Sequence, residues 1–232
     1  MHNLDLAKTD ASVPSVMPNY MRTIILFILL LSTTIIVGQK DSVPDKVCVK
    51  IAPLALLDIY SGMSPRIGVE YKLKDNYSLH NEIGTYIPNA NGMTNNRGYL
   101  AKLEFKAYLN KQKYALGPYV SAELFYKHQS YGTYDSMSVS QIKYLKNYSV
   151  EKNVTCFTLK VGVLGQLDNG IIFEPFAGFG IRHRDIASTL TSDENNNIIQ
   201  DGPNQTNIIK NKAGVFNVLN FDMGVKIGYR IK

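Results

Sequence analysis

Apolar and polar residues alternate along much of the chain from Val47 onward. The clearest alternation runs from Val154 to Arg182, where VTCFTLKVGVLGQL and IIFEPFAGFGIR flank the tripeptide Asp168-Asn169-Gly170. Because successive side chains of a strand point to opposite faces, each run has one apolar face and one polar, glycine-rich face. Asn and Gly tolerate the positive φ angles of tight turns, so this stretch predicts a β-hairpin.

The same alternation predicts further strands, and the connections between them alternate in length. The predicted strands span residues 47–57, 65–73, 77–87, 98–109, 114–127, 154–167, 171–182 and 215–231. Short turns fall at one end of this meander, and longer connections fall at the other, including the polar stretches 128–153 and 184–213. An even number of strands, several reaching roughly 9–11 residues, with this asymmetry of loops is typical of outer-membrane barrels.

The expected fold class is therefore all-β: an eight-stranded antiparallel up-and-down transmembrane β-barrel that follows an N-terminal signal helix. The alternative is a soluble antiparallel barrel or sandwich with the apolar faces packed inside. Aromatic residues concentrate at membrane–water interfaces, so tyrosines near the predicted strand ends favour the membrane barrel. These tyrosines are Tyr71, Tyr77, Tyr99, Tyr114, Tyr126 and Tyr229.

The segment Thr23 to Val37 (TIILFILLLSTTIIV) is the one long apolar run of the sequence. It follows Met21-Arg22 and precedes Gly38-Gln39, which is the pattern of a secretory signal peptide with cleavage expected after Gly38. It is shorter than the roughly 20 apolar residues of a transmembrane helix. The expected organisation is an N-terminal extension and signal peptide at 1–38, a short lead-in at 39–46 and a barrel domain at 47–232, with Met1 or Met21 as the start.

The formal net charge is +6 and the isoelectric point is about 9.1. The Lys and Arg residues are spread mostly singly through the alternating strands, without a long basic run or a basic helix face. A basic balance of this kind does not indicate nucleic-acid binding, and we expect no nucleic-acid partner.

The sequence contains two cysteines, Cys48 and Cys156. An exported protein enters an oxidising compartment, where neighbouring cysteines form disulfides. These two fall on non-neighbouring predicted strands near opposite ends, so we expect two free thiols.

The polar faces carry charged residues that a membrane barrel would turn toward its interior. Eight strands leave an interior just wide enough for side chains to fill, and buried charges must be paired. We therefore expect a network of ion pairs and hydrogen bonds that plugs the barrel; the alternative is a narrow, gated pore. The predicted members of the network are Arg66, Glu70, Glu82, Lys102, Glu104, Glu123, Lys160, Glu174, Asp222, Lys226 and Arg230.

Three runs resemble a known group of proteins: SPRIGVEYKLKDNYSLHNEIGTY, RGYLAKLEFKAYL and MGVKIGYRIK. They are similar to the uncharacterised small outer-membrane β-barrel proteins of Bacteroidetes-type bacteria, and more distantly to OmpA-like and OmpX-like eight-stranded barrels. The resemblance covers about residues 46–232. It implies a porin-like barrel in the outer membrane of a Gram-negative bacterium, without defining what the protein does.

The tripeptide His128-Gln129-Ser130 follows the fifth predicted strand and resembles the His-x-Ser of outer-membrane lipid A deacylases. Residues at i and i+2 project to the same side of a strand, so His128 could act as the base and Ser130 as the nucleophile of acyl chemistry. Tyr131 stands where those enzymes have Asn, and spacing alone identifies no orienting acid. The more ordinary interpretation is two polar residues at the base of a loop.

No cofactor and no metal site are expected, because Asp193, Glu194 and Asp201 lack the spacing of a calcium loop. His183 could bind a ligand or an anion, but Arg182, His183 and Arg184 are interpreted as rim charges that meet anionic lipid. The expected function is non-enzymatic and structural or adhesive. The expected partners are outer-membrane lipid and a cell-surface or extracellular protein that contacts loops 128–153 and 184–213.

Overall fold

Eight antiparallel strands close into a single barrel in the computed structural model, with β8 hydrogen-bonded to β1. This confirms the predicted all-β, eight-stranded fold. The structure describes residues 47–57, 63–74, 76–88, 93–109, 116–139, 142–167, 170–199 and 211–231. The predicted signal peptide, the lead-in and Asp168-Asn169 of the predicted hairpin turn lie outside these residues. The strands are β1 Val47–Ile51, β2 Arg66–Lys74, β3 Tyr77–Thr85, β4 Thr94–Tyr108, β5 Gly117–Val139, β6 Ile142–Gln166, β7 Ile171–Ser188 and β8 Gly214–Ile231.

The first strand is shorter than its sequence pattern predicts. It ends at Ile51, and residues Pro53–Leu57 form a 3₁₀ helix instead of continuing the strand. Proline has no backbone N–H to donate to a ladder, which explains why the strand stops before Pro53. The prediction of a strand across 47–57 is therefore wrong beyond Ile51.

The hairpin of β5 and β6 is much longer than predicted. Pairing continues without a break from Lys127↔Val154 to Val139↔Ile142, so the stretch 128–153 predicted as a loop is almost entirely β-structure. The residues there are mostly Ser, Thr, Tyr and Lys, which hide the apolar alternation. Tyr and Thr nevertheless favour strands, and the ladder satisfies their backbone groups. This protruding part of the hairpin is called the long hairpin below, residues 128–153.

The barrel is apolar outside and charged inside. Side chains on the outer face are largely exposed, up to 74% for Leu219, 76% for Phe221 and 78% for Met223. Inside, charged side chains such as Glu104, Lys106 and Glu174 are completely buried. The two faces predicted from the alternation are therefore the two faces of the barrel wall, with the apolar one turned outward.

The chain has two cysteines and, between its last two strands, a short helix. Cys48 and Cys156 are both buried and both free. A short helix, α1 at Ser192–Asn196, lies between β7 and β8. Within the described residues, no helix is long and apolar enough to cross a membrane.

Candidate functional site

Four charged side chains near the end with the short turns form a closed cycle, called the lower ring: Lys50, Glu70, Lys106 and Glu174. Lys106 Nζ lies 2.6 Å from a carboxylate oxygen of Glu70 and 2.6 Å from one of Glu174. Lys50 also bonds to both carboxylates, at 2.6 Å in the case of Glu70. Each lysine thus bridges both glutamates, and the four charges cancel.

Neutral hydroxyl groups complete the lower ring. The Tyr108 hydroxyl donates to Glu70 at 2.7 Å, and Ser78 Oγ donates to the same carboxylate at 2.8 Å. The Tyr119 hydroxyl donates to Glu174 at 2.6 Å. Gly162 makes room for this tyrosine, since a Cβ at that position would lie 2.5 Å from the Tyr119 ring. Because these donors occupy the remaining lone pairs, the buried carboxylates are well satisfied.

A second closed cycle, called the upper ring, lies nearer the long hairpin and consists of Lys102, Glu123, Lys160 and Asp222. Lys160 Nζ lies 2.6 Å from Glu123 and 2.7 Å from Asp222. Lys102 Nζ lies 3.3 Å from Glu123 and 3.5 Å from Asp222. The same principle operates again: two cations alternate with two anions, and the sum is zero.

Between the rings, Glu104 pairs with Lys226 at 2.6 Å and accepts a hydrogen bond from Ser121 at 2.7 Å. His80 lies beside both groups, with Nδ1 3.3 Å from Lys226 Nζ and 3.5 Å from the Glu104 carboxylate. The Phe176 ring lies beneath two of the lysines, with Lys160 Nζ 4.5 Å and Lys226 Nζ 5.1 Å from its centre. Ion pairs, hydrogen bonds and an aromatic ring therefore fill the centre of the barrel.

The structure brings the predicted network residues from Arg66 to Lys226 into ion pairs, of which Arg66–Glu82 and Lys226–Glu174 are long, at 3.9 Å each. Arg230, the eleventh predicted residue, is buried beside the Cys48 thiol. The prediction omitted Lys50, Lys106 and His80, which are as central as the predicted members. Their alternation with known inward positions, for example Lys106 with Glu104, was a signal that could have identified them.

The predicted pair His128 and Ser130 lies on the outer face of the barrel wall. His128 Nδ1 is 2.9 Å from Asn153 Oδ1 and 3.9 Å from Glu151 Oε1. Glu151 stands directly across the ladder from Ser130, as Asn153 does from His128. Within the described part of the chain, no hydrogen bond joins His128 to Ser130. The structure thus supplies the neighbouring carboxylate that spacing could not identify.

An open cleft with a volume of 890 Å³ lies beside Ser130. It extends from the start of β4 to the base of the long hairpin, and most of the residues that line it are of polar types. The lining includes Asn95, Arg97, Ser130, Tyr134, Asn147 and Ser149. A cleft of this size lies within the usual range for small-molecule sites.

The interpretation of residues 182–184 as rim charges that meet lipid is wrong for Arg182. Its guanidinium points inward and donates to the buried Asn220. Arg184 shares that inward face and is half-buried. His183 faces outward, where its Nδ1 lies 2.9 Å from Asn217 Oδ1. The strand alternation, and not the clustering of the three residues in sequence, decides where they point.

The segment after β7 packs over the inner face of the long hairpin, and both together are called the cap. Residues 197–199 pair with β5, through hydrogen bonds from Ser138 N to Asn197 O and from Ile199 N to Ser136 O. Beneath them is an apolar cluster of Met93, Tyr131, Met137, Tyr148, Val150 and Ile186, with Leu190, Ile198 and Phe216 against it. The cap therefore has an apolar core of its own.

Glu194 fastens the cap. Its carboxylate accepts from Lys146 Nζ at 2.5 Å, from the Tyr144 hydroxyl at 3.0 Å and from Thr191 N at 3.0 Å. Thr191 Oγ1 accepts in return from Glu194 N, which is a capping box at the start of α1. The hydrogen bond from Lys146 is the main reason that the pKa of Glu194 falls from its ordinary value of 4.5 to about 2.

Among the described residues, no cluster of three or more His, Cys, Asp or Glu side chains is arranged to hold a metal ion. Asp193 and Glu194 lie on α1, where Glu194 serves the cap; Asp201 lies outside the described residues. No protein-family model and no curated protein matches the chain. The fold and the interior define a small, closed, charge-paired β-barrel, and the resemblance to Bacteroidetes-type barrels stays a prediction.

Proposed function

We propose that this protein is a small, non-enzymatic β-barrel of the bacterial outer membrane, closed to ion flow, that presents its cap to a partner outside the cell. The observation that carries the proposal is the inverted burial, with apolar side chains outside and charges inside. In water, large exposed apolar surfaces are rare on monomeric proteins. A lipid environment removes that cost, and a closed barrel leaves no unpaired sheet edge along its paired strands.

The outer surface has the further features of a membrane belt. Exposed tyrosines lie toward both ends of the apolar surface, with Tyr77 and Tyr229 near the short turns and Tyr99 near the cap. β2 and β3 have nine residues each and β4 to β8 have more, whereas β1 has five. Tilted strands of about 9–11 residues suffice to cross a bilayer.

The two rings support a closed interior. A conducting pore needs a continuous aqueous path, whereas each ring lies across the barrel with its charges in direct contact. An interior of eight strands is narrow enough for side chains to fill. We infer that the network is a plug, and that the barrel serves as a rigid anchor for the cap.

The long hairpin supports a role in partner contact. Near its tip, Tyr134, Ile142 and Leu145 expose 56%, 67% and 66% of their surface. Exposed apolar groups on a rigid support are typical of contact sites, because little ordering entropy is lost on binding. The partners proposed are outer-membrane lipid around the belt and a cell-surface or extracellular protein at the cap.

The first experiment is a comparison of boiled and unboiled samples of the detergent-extracted outer-membrane fraction on a gel. The proposal predicts a membrane-bound protein that migrates faster when it is not boiled, since a closed barrel resists unfolding by detergent. Soluble protein without a mobility shift would contradict the membrane assignment.

The pore is tested separately in planar bilayers. A plugged barrel gives no discrete conductance steps after insertion, which is verified by protease protection of the inserted protein. Discrete conductance steps would contradict the plug. If these steps disappear when Lys102 is replaced by a larger side chain (Lys102→Trp), the interior is a narrow pore.

A second candidate function, hydrolysis of a membrane lipid, is favoured by one observation: Glu151 and Asn153 lie opposite Ser130 and His128 on the outer face. A carboxylate near a histidine, beside a serine and an open cleft, is the set of groups that nucleophilic acyl transfer needs. In such sites, the hydrogen bond between the base and the nucleophile often tightens only when substrate is bound.

Purified protein is therefore assayed for acyl release from lipid A and from phospholipid. Hydrolysis should be lost in Ser130→Ala and retained in Ser136→Ala, a serine of the same strand away from His128. An inactive wild-type protein that is correctly folded by the gel criterion would exclude this candidate.

A further inference from the structure

Within the described residues, β1 covers only the C-terminal part of β8. β1 pairs with β8 only from Val47↔Ile231 to Ile51↔Ile227, whereas β8 itself continues to Gly214. Above Ile51, the 3₁₀ helix Pro53–Leu57 lies against β8. Among the described residues, no backbone hydrogen bond joins this helix to β8. Within residues 47–57 and 63–74, no strand pairs with the rest of this β8 edge, so the described residues leave a gap there.

A pocket of 150 Å³ passes through this gap. Its lining includes Met223 and Val225 on the outer face of β8 and Asp222 and Lys226 on the inner face. Because one strand contributes both of its faces, the pocket crosses the wall. On its other side lie Ala52, Leu54 and Ala55 of the segment that follows β1.

The exposure of the interior charges agrees with an opening at this place. The Asp222 side chain is 24% exposed and that of Arg66 is 15% exposed. The side chains of Lys160 and Glu123, which belong to the same ring as Asp222, are at most 2% exposed. The pocket thus has an apolar mouth at the outer surface and a charged inner end.

One carboxylate oxygen of Glu82, at the inner end, lacks a hydrogen-bond donor among the described residues. Its side chain is 4% exposed, and Oε1 has no hydrogen bond. The Arg66 guanidinium is 3.9 Å away, and its Nε donates to Ser64 Oγ instead. Lys226 is engaged with Glu104. A buried carboxylate oxygen without a donor is costly, so the inner end of the pocket favours a ligand that supplies one.

The geometry points to a binding site for a neutral, single-chain amphiphile with a hydroxyl-bearing head, of the monoacylglycerol class. The head donates to Glu82 and accepts from Arg66, while the acyl chain leaves between Leu54 and Met223 onto the outer surface. A neutral head fits because the mouth lies within the apolar belt, where a charged head would lose its hydration. The volume is below the roughly 300 Å³ of ordinary ligand pockets, which leaves room for a small head and no second chain.

The inference rests on the membrane position proposed above, and the experiment separates the two. The chain has no tryptophan, so Leu54→Trp places a single tryptophan at the mouth. The control Ala122→Trp places one on the outer face of β5, between Phe105 and Leu159 of the neighbouring strands. Both variants are reconstituted in phosphatidylcholine vesicles and titrated with dibrominated mono-oleoylglycerol or with dibrominated phosphatidylcholine as quenchers.

The site predicts that the monoacylglycerol quenches Leu54→Trp at about tenfold lower membrane concentration than Ala122→Trp, as expected for a hydrogen bond to a charged group. Adding Glu82→Leu or the blocking change Ala52→Phe to Leu54→Trp should remove the difference, with folding verified by gel mobility. The site is overturned if the monoacylglycerol quenches the two tryptophans equally. It is also overturned if brominated phosphatidylcholine quenches Leu54→Trp more strongly than Ala122→Trp, as the monoacylglycerol is expected to do. Absence of quenching by brominated phosphatidylcholine in both variants overturns the membrane position instead.

Discussion

Lys106 contacts both carboxylates of the lower ring, so its loss would leave two buried charges with one remaining bridge. We expect Lys106→Met to destabilise the barrel by about 3–5 kcal/mol, the usual cost of removing one partner of a buried ion pair. The measurement is the urea dependence of the folded band on unboiled gels. The matched variant Lys106→Met with Glu70→Gln should recover part of the loss, and a double variant no more stable than the single one would contradict this explanation.

Gly162 gives a second prediction at the same scale. A Cβ there would meet the Tyr119 ring at 2.5 Å, whereas a Cβ at Gly165 would meet only Phe173 O at 3.7 Å. We expect Gly162→Ala to cost about 1–3 kcal/mol through overpacking. Gly165→Ala, measured by the same urea titration, should be close to the wild type. Equal effects of the two changes would show that the contact with Tyr119 does not matter.

Individual residues also show how far the sequence predicts the site. Alternation identified which face Glu70, Lys102 and Glu174 occupy, because side-chain direction follows from position parity alone. It did not identify the partners, because Lys50 and Glu174 meet only after strands far apart in sequence close the barrel. Glu151 was missed as a neighbour of Ser130 for a related reason, since its place depends on the register of a hairpin that was interpreted as a loop.

At the scale of elements, the cap depends on Glu194, and this dependence has a pH signature. The carboxyl has a pKa of about 2 in the folded protein and an ordinary value of 4.5. A lowered pKa means that the stabilisation is fully present above about pH 4.5 and is lost as the pH falls through about 2.

We therefore expect Glu194→Gln to speed hydrogen exchange at the Ser138 and Ile199 amides roughly two- to fivefold at neutral pH, the effect of a partly exposed ion pair. The ratio of variant to wild-type exchange should approach one as the pH nears 2. The control is Glu151→Gln, which lies on β6 like Lys146 but away from α1. A ratio that does not change with pH would contradict a role for the Glu194 charge.

Alternation predicts the bounds of some strands closely, and it does not reveal strand segments that lack an apolar outer face. β2, β3 and β8 lie within two residues of their predicted bounds. The long hairpin was interpreted as a loop because it projects beyond the apolar belt, where no alternation of apolar and polar residues is needed. Its order comes from pairing and from the apolar cluster under the cap, which local sequence does not reveal.

For the whole molecule, the two rings predict how stability responds to salt. Apart from Asp222, whose side chain is 24% exposed, their charges are almost completely buried, and buried pairs are screened far less than exposed ones. The temperature at which the folded band disappears should therefore change little between about 0.05 and 1 M NaCl. The cap, held by the partly exposed Lys146–Glu194 pair, should lose hydrogen-exchange protection over the same range. A large fall in the barrel's transition temperature with salt would mean that water reaches the rings.

The lower ring also constrains how such a barrel can enter a membrane. Its four charges come from β1, β2, β4 and β7, and Lys50 and Glu174 are 124 residues apart. The β1–β2 hairpin places Lys50 beside Glu70, but β4 adds Lys106, so the ring residues of β1 to β4 carry one uncompensated positive charge, which hydrocarbon does not tolerate cheaply. The four ring charges cancel only when Glu174 of the seventh strand joins the other three, so insertion of the first four strands and ring closure have to be one concerted event, with no stable half-inserted sheet along the way.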